Sequence, residues 1–164
     1  MFLGGDLGGT KTLLALARQE AGAIRIVRQQ RYASADFPTF EALLDDFLAG
    51  AEPIDAACFG VAGPTDGQHA KLTYLPWKLA AANLGRRYAI RRVTLANDFA
   101  AAAHGLPLVE PAHIVTLHGG QPVDRAPRII LGAGNVLGVC GLVRQGDRYR
   151  VIAREGRQIG FSSQ

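Results

Sequence analysis

The stretch Gly4-Gly5-Asp6-Leu7-Gly8-Gly9-Thr10-Lys11-Thr12, almost at the amino terminus, constrains this chain more than any other. An apolar run, Leu13-Leu14-Ala15-Leu16-Ala17, follows it. The pattern predicts a strand, a tight turn and a second strand. Glycine at the turn permits positive φ and lets backbone N–H groups face inward without a Cβ in the way. Such N–H groups, together with the Thr10 hydroxyl and Lys11, form a concave anion site suited to phosphate. A carboxylate beside a phosphate cradle, here Asp6, handles Mg²⁺ directly or through water. An ordinary glycine-rich hairpin accounts for the same residues equally well, because short glycine motifs recur by chance.

Two better-known phosphate loops are excluded. A Walker A loop needs four residues between its first glycine and its Gly-Lys-Ser/Thr, and it opens a helix. The dinucleotide fingerprint Gly-x-Gly-x-x-Gly also opens a helix, whereas the residues after Thr12 read as strand.

With 164 residues, 48% hydrophobic and 20% charged, the chain is long enough for one globular domain with a real core. No apolar run approaches the length that spans a bilayer. The amino terminus lacks a basic region followed by a long apolar stretch, so no signal peptide is expected and the chain reads as cytoplasmic. Cys58 and Cys140 lie far apart in apolar contexts. Buried, reduced thiols are expected, with a disulfide as the open alternative. The net charge of +4 is concentrated in Arg86-Arg87 and Arg91-Arg92. A solvated helix end and loop explains that cluster better than nucleic-acid binding, since Tyr88 is its only aromatic and no DNA-reading helix motif accompanies it. Neither a nucleic acid nor a membrane is expected as a partner. His69, His104, His113 and His118 do not form a zinc pattern.

Along the chain, residues 24–32 read as a third strand and residues 33–36 as a loop. Pro38 and Thr39 suit a helix start. Phe40, Leu43, Leu44, Phe47 and Leu48 then keep the helical stripe, with Gly50 as its stop. Residues 55–62 read as a buried central strand, 63–67 as a turn and 71–74 as extended. A helix is expected from Lys78 to about Leu84, stopped by Gly85. A strand over 92–96 runs into Asn97-Asp98-Phe99, and a helix over 99–104 stops at Gly105. Later extended segments are expected at 112–117, 128–131, 136–143 and 149–153. The order is mixed α/β.

Asn97-Asp98 therefore lies where a strand ends and a helix begins, which is where open α/β sheets place ligands. An aspartate there can accept a proton from a substrate hydroxyl, and the neighbouring amide can hold further hydroxyls. Capping of the helix by either residue explains the pair as well.

Several segments in order resemble the bacterial glucokinases of the hexokinase-like group, within the actin, hexokinase and Hsp70 superfamily. They are GDLGGTKT, GVAGP at Gly60 to Pro64, LTYLPW at Leu72 to Trp77, LANDFAA at Leu95 to Ala101, LGAGNVLG at Leu131 to Gly138, and Glu155-Gly156. The resemblance implies a ribonuclease H-like, actin/hexokinase-type ATPase lobe, a mixed β-sheet flanked by helices. It implies a glucokinase reaction, ATP-dependent and Mg²⁺-assisted phosphorylation of the glucose 6-hydroxyl. Asp98 would be the base, and Asn97, Asp98, Glu155 and Gln158 would hold sugar hydroxyls. Asp6 would orient Mg²⁺. Gly8, Gly9, Thr10 and Lys11 would approach the phosphates, with Gly132, Gly134 and Asn135 as a second phosphate turn. Phosphoryl transfer is mainly positioning and charge neutralisation, so this sparse set suffices in principle.

The resemblance also implies that residues 1–164 are the amino-terminal, smaller lobe, with a second, larger lobe absent. The chain alone is then expected to be inactive or nearly so, and to self-associate, most simply as a homodimer, through its exposed lobe face. The sequence departs from the family at three places. Tyr74 replaces the asparagine of LTNLPW, Gly134-Asn135-Val136-Leu137-Gly138 replaces Gly-Thr-Gly-Leu-Gly, and Glu155-Gly156-Arg157-Gln158 replaces Glu-Gly-Gly-His. The alternative is a degenerate, non-catalytic sugar-binding or regulatory module. The phosphoryl donor (ATP, ADP or polyphosphate) stays open.

Overall fold

A computed structural model describes residues 1–121, 123–133, 137–146 and 148–154. Where length alone suggested one globular domain, the chain divides into two compact units, Met1–Asp98 and Phe99–Gln164.

The first unit opens with three antiparallel strands: β1 (Phe2–Leu7), β2 (Lys11–Glu20) and β3 (Ala23–Ala33). Ala21 and Gly22 link β2 to β3 with φ of 49° and 84°. Positive φ at both positions gives the turn the twist of the strands it joins. Thr39 then starts helix α1 (Phe40–Phe47) by accepting the Ala42 N–H at 3.2 Å. The chain continues through β4 (Ala56–Val61), the short pair β5 (His69–Lys71) and β6 (Lys78–Ala80), helix α2 (Ala81–Arg87), and β7 (Arg92–Asn97). Helix α3 (Asp98–Gly105) starts as this unit ends.

The main sheet has the order β3-β2-β1-β4-β7, with β1, β4 and β7 mutually parallel. This is the expected α/β lobe. Alternation along the strands sends Leu3, Leu7, Leu14, Leu16, Ala57, Phe59, Val61 and Leu95 into one core with the helical stripe of α1 and Leu84 of α2. Phe40 sits at its centre, edge-on to Phe59 at 5.0 Å between ring centroids and 5.8 Å from Trp77. Each large side chain so buried contributes about 1.5–3 kcal/mol.

Three expectations need correction in this unit. Residues 78–80 are strand β6, not the first turn of a helix, because they pair with His69–Lys71 and bury Leu79 opposite Ala70. The helix begins at Ala81, and Gly85 lies inside it rather than ending it. A Cβ on Gly85 would come 3.0 Å from the Ile90 carbonyl oxygen, so close passage of the chain explains that glycine. The Cys58 thiol is exposed, not buried, because alternation in β4 turns Phe59 into the core and Cys58 away from it.

The second unit contains three further antiparallel strands, β8 (Arg128–Ala133), β9 (Leu137–Gln145) and β10 (Arg148–Arg154), in the order β10-β9-β8. Cys140 and Leu142 pack with Ala103 and Phe99 of α3. Cys140 is buried as expected, and desolvation pushes its thiol pKa up. Both cysteines are free. Arg128 lies over the Tyr149 ring at 4.8 Å. The extended segment expected at 112–117 does not form. A short 3₁₀ turn, Pro111–His113, takes its start, and Val115 and Leu117 are exposed with no ladder partner among the described residues.

Candidate active site

The register of the three parallel strands assembles the first candidate residues. Leu7, Val61 and Asn97 stand side by side at the strands' carboxyl ends, and Asp6, Gly60 and Ala96 form the row behind them. Asp6 and Asp98 thus reach one edge of the sheet from β1 and β7, with β4 between them. Two strand spacings separate the outer strands, roughly 10 Å. Gly60, between Asp6 and Ala96 in the row, adds no side chain there.

That arrangement has an electrostatic signature. Asp6 is held above its ordinary value of 3.8, first by the protein that displaces part of its hydration, then by the negative charge of Asp98. Its side chain nevertheless opens to solvent. A carboxylate whose proton affinity is raised beside a second carboxylate at an accessible edge suits a site that receives a cation or a proton.

The glycine turn sits beside Asp6. The Gly8 N–H donates to the Lys11 carbonyl at 3.0 Å, which closes the hairpin; at its tip Gly9 is half-buried and Thr10 is exposed. Positive φ is not the reason for these glycines, contrary to expectation, since neither Gly8 nor Gly9 adopts it. Space is the reason. A Cβ on Gly8 would meet the Lys11 carbonyl oxygen at 2.9 Å, and one on Gly9 would meet Tyr74 Cβ at 2.8 Å.

Ser34 fixes the turn from below, a role that the loop reading of residues 33–36 missed. Its hydroxyl donates to the Gly8 carbonyl at 2.9 Å, and its N–H donates to the Thr10 carbonyl at 3.0 Å. The Thr12 hydroxyl lies 3.0 Å from Ser34 Oγ. Since the Ser34 proton goes to Gly8, Thr12 is the donor of that second bond. Both side chains are fully buried. Thr12 stands at an inward position of β2, ahead of Leu14 and Leu16, and a polar residue at that position was the available signal.

The other segments singled out in the sequence interlock around this turn. The Ala62 N–H donates to the Leu7 carbonyl at 3.0 Å, and the Thr73 N–H donates to the Ala62 carbonyl at 3.3 Å. GVAGP thereby ties GDLGGTKT to LTYLPW, and Tyr74 lies against Gly9. Asp66 stiffens the following turn by accepting the Gln68 and His69 N–H groups at 2.8 and 2.6 Å. Those bonds hold its carboxyl down to about 2. Lys11 is exposed at the start of β2.

The remaining candidates belong to the second unit or to residues outside the described ones. Gly132 lies in β8 of the second unit, where a Cβ would meet the Phe99 ring at 2.4 Å. Gly134, Asn135, Glu155 and Gln158 lie outside the described residues. Arg87 of the basic cluster is engaged with α1, donating to Asp45 at 2.6 Å, and Tyr88 donates to the Glu41 carbonyl at 2.9 Å.

Comparison with known proteins adds an independent line. Residues 3–164 match the family model described as Glucokinase. The chain is 38% identical over 165 residues to a glucokinase of Nostoc punctiforme, covering 99% of this chain and 48% of that protein. It is 39% identical over 175 residues to a glucokinase of a Synechocystis species, covering 98% of this chain and 49% of that protein. The chain therefore spans about half the length of the curated relatives it matches. Among solved structures, glucokinase from an Antarctic psychrotroph superposes with a TM-score of 0.83 at 27% identity, over 99% of this chain and 52% of that one. Glucokinase from Balamuthia mandrillaris in complex with glucose superposes with a TM-score of 0.66 at 22% identity, over 94% and 47%.

Proposed function

The chain belongs to the glucokinase family, and from that premise we propose that it is the amino-terminal lobe of a sugar kinase that moves a phosphoryl group from ATP to the 6-hydroxyl of glucose. The observation that carries this reading is the convergence of Asp6 and Asp98 on one edge of the sheet, beside the clamped glycine turn.

Asp98 accepts the proton of the attacking hydroxyl, which removes positive charge as the new O–P bond forms. Asn97, the last residue of β7, orients neighbouring sugar hydroxyls. The Gly9 and Thr10 N–H groups and the Lys11 ammonium meet phosphate oxygens at the turn, and Ser34 holds the turn in place. The family resemblance assigns Glu155 and Gln158 to sugar binding as well, and Gly132, Gly134 and Asn135 to phosphate binding.

The residues fit a magnesium nucleotide. An accessible carboxylate with a raised proton affinity, next to a second carboxylate, favours a divalent cation between itself and a polyphosphate. When bound, Mg²⁺ neutralises phosphate charge, and Asp6 would hold it directly or through water.

We place the protein in the cytoplasm. No helix among the described residues is long and apolar enough to cross a membrane. The family resemblance puts most of the adenosine site and one wall of the sugar cleft in a second lobe, so we expect no useful turnover from residues 1–164 by themselves. The exposed apolar residues Ile129, Leu131 and Ile152 favour self-association of the isolated chain. The test is a coupled glucose 6-phosphate assay, with ATP, ADP and polyphosphate as donors, on this chain and on a two-lobed form. Turnover in the two-lobed form alone supports the reading. Sugar binding without turnover in both forms would replace it with the non-catalytic module. Turnover near about 10 s⁻¹ by the single lobe would overturn the division of labour.

A further inference from the structure

A basic site lies at the other end of the sheet and takes no part in the chemistry above. A cavity of about 420 Å³ is lined by Gln68, Ala81, Gly85, Ile90 and Val93, with Arg86, Arg91 and Arg92 among its walls. Arg92 is the first residue of β7 and Asn97 the last. The cavity therefore opens at the amino ends of the parallel strands, about 17 Å along β7 from the catalytic edge, at about 3.3 Å per residue.

Its composition is that of a small-molecule site. Such sites enclose about 300–1,000 Å³ and combine an apolar lining with a few placed polar groups. Here Ala81 and Ile90 are buried and Val93 is half-buried, while the three arginines are exposed. Gly85 keeps the wall low where α2 meets the Ile90 carbonyl. The neighbouring polar groups do not cancel the charge. Arg86 donates to the neutral Asn83 side chain at 2.7 Å. The carboxylate whose charge Arg91 feels, Asp55, is already paired with the Met1 amino group. Arg87, by contrast, is spent on Asp45. The composition explains why the cluster divides: one arginine braces the fold, and three surround a cavity.

We propose that this cavity binds a phosphorylated small molecule at a non-catalytic site. Planar guanidinium groups match phosphate oxygens two at a time, and the apolar floor accepts the carbon skeleton beside the phosphate. Sugar phosphates and nucleotides share that chemistry. A ligand there acts at a distance from the transferred phosphoryl group.

The experiment is calorimetric titration of the full 164-residue chain with pyrophosphate, glucose 6-phosphate and ADP at low and moderate salt. The variants are Arg91→Ala/Arg92→Ala, the charge-matched Arg18→Ala/Arg25→Ala on the β2–β3 hairpin, and Asp98→Asn. The expected result is saturable binding that weakens at least tenfold in Arg91→Ala/Arg92→Ala, and survives in the other two. Which of the three probes binds most tightly identifies the skeleton. No saturable binding of any probe, or equal weakening in both arginine pairs, would overturn the proposal. Loss in Asp98→Asn alone would assign the binding to the catalytic edge and overturn it too. Thermal unfolding of each variant shows that the fold is retained, since all four arginines are surface residues.

Discussion

Gly63→Ala tests how the GDLGGTKT, GVAGP and LTYLPW segments are held together around the site. A Cβ at residue 63 would lie 2.2 Å from the Lys71 carbonyl oxygen, 3.3 Å from its carbonyl carbon and 3.4 Å from Leu72 Cα. Carbon and oxygen sit comfortably at about 3.3–3.6 Å, so the two segments must part by about 1 Å. All three obstructing atoms are backbone, so no rotamer change relieves the clash. Parting them strains the Thr73-to-Ala62 bond and moves Tyr74 away from Gly9. Overpacking costs about 1–3 kcal/mol, and backbone obstruction puts this variant at the upper end. At about 2–4 °C per kcal/mol for a chain of this size, the melting temperature should fall by about 6–12 °C. Gly4→Ala is the control, because nothing lies within 4 Å of its added Cβ. It removes only glycine's unfolded-state freedom and should be neutral or stabilising by up to about 1 kcal/mol. Urea and thermal unfolding of both variants give the comparison. A Gly63→Ala protein as stable as the parent would refute the close approach.

Other perturbations separate the fold from the site. Phe40→Ala removes the ring between Phe59 and Trp77 and should cost about 3–5 kcal/mol in urea unfolding. Ser34→Ala leaves the Gly8 carbonyl and the Thr12 hydroxyl without their buried partner. It should cost about 1–3 kcal/mol and, in a two-lobed form, raise KM for the nucleotide more than it lowers kcat. Asp6 has a folded proton affinity raised above its ordinary 3.8, so the folded chain keeps a proton that the unfolded chain has released. Stability therefore falls as pH rises from 3.8 through the folded value, and the loss persists at neutral pH. Asp6→Asn should then be more stable than the parent at pH 7, with the advantage vanishing below about pH 3.5; equal stabilities at pH 7 would contradict the electrostatic account.

Much of the lobe was legible because local pattern and tertiary packing agreed. The Phe40–Phe47 stripe, the Thr39 cap and the three-strand opening read correctly since each follows from spacing alone. Lys78-Leu79-Ala80 misled because lysine, leucine and alanine favour helix, and only pairing with His69–Lys71 overrides that preference. Gly85 misled for a related reason: a glycine kept for close approach to Ile90 looks in sequence like a helix stop. Cys58 stood in an apolar run whose burial on one side only depends on which face the helices cover. The approach of Asp6 to Asp98 is invisible to spacing, because it arises from β4 inserting between strands ninety residues apart in the chain. Ser34 was hidden because its partners Gly8 and Thr12, more than twenty residues earlier in the chain, reach it only through the pairing of β2 with β3.

The measurement that bears most directly on the central claim is kcat for Asp98→Asn in a two-lobed form of this protein. The substitution keeps the size of the side chain, relieves the repulsion on Asp6 and removes the proton acceptor. The account predicts a folded protein whose kcat falls by about 10²- to 10⁴-fold, the usual contribution of a general base. A kcat within about threefold of the parent would contradict it.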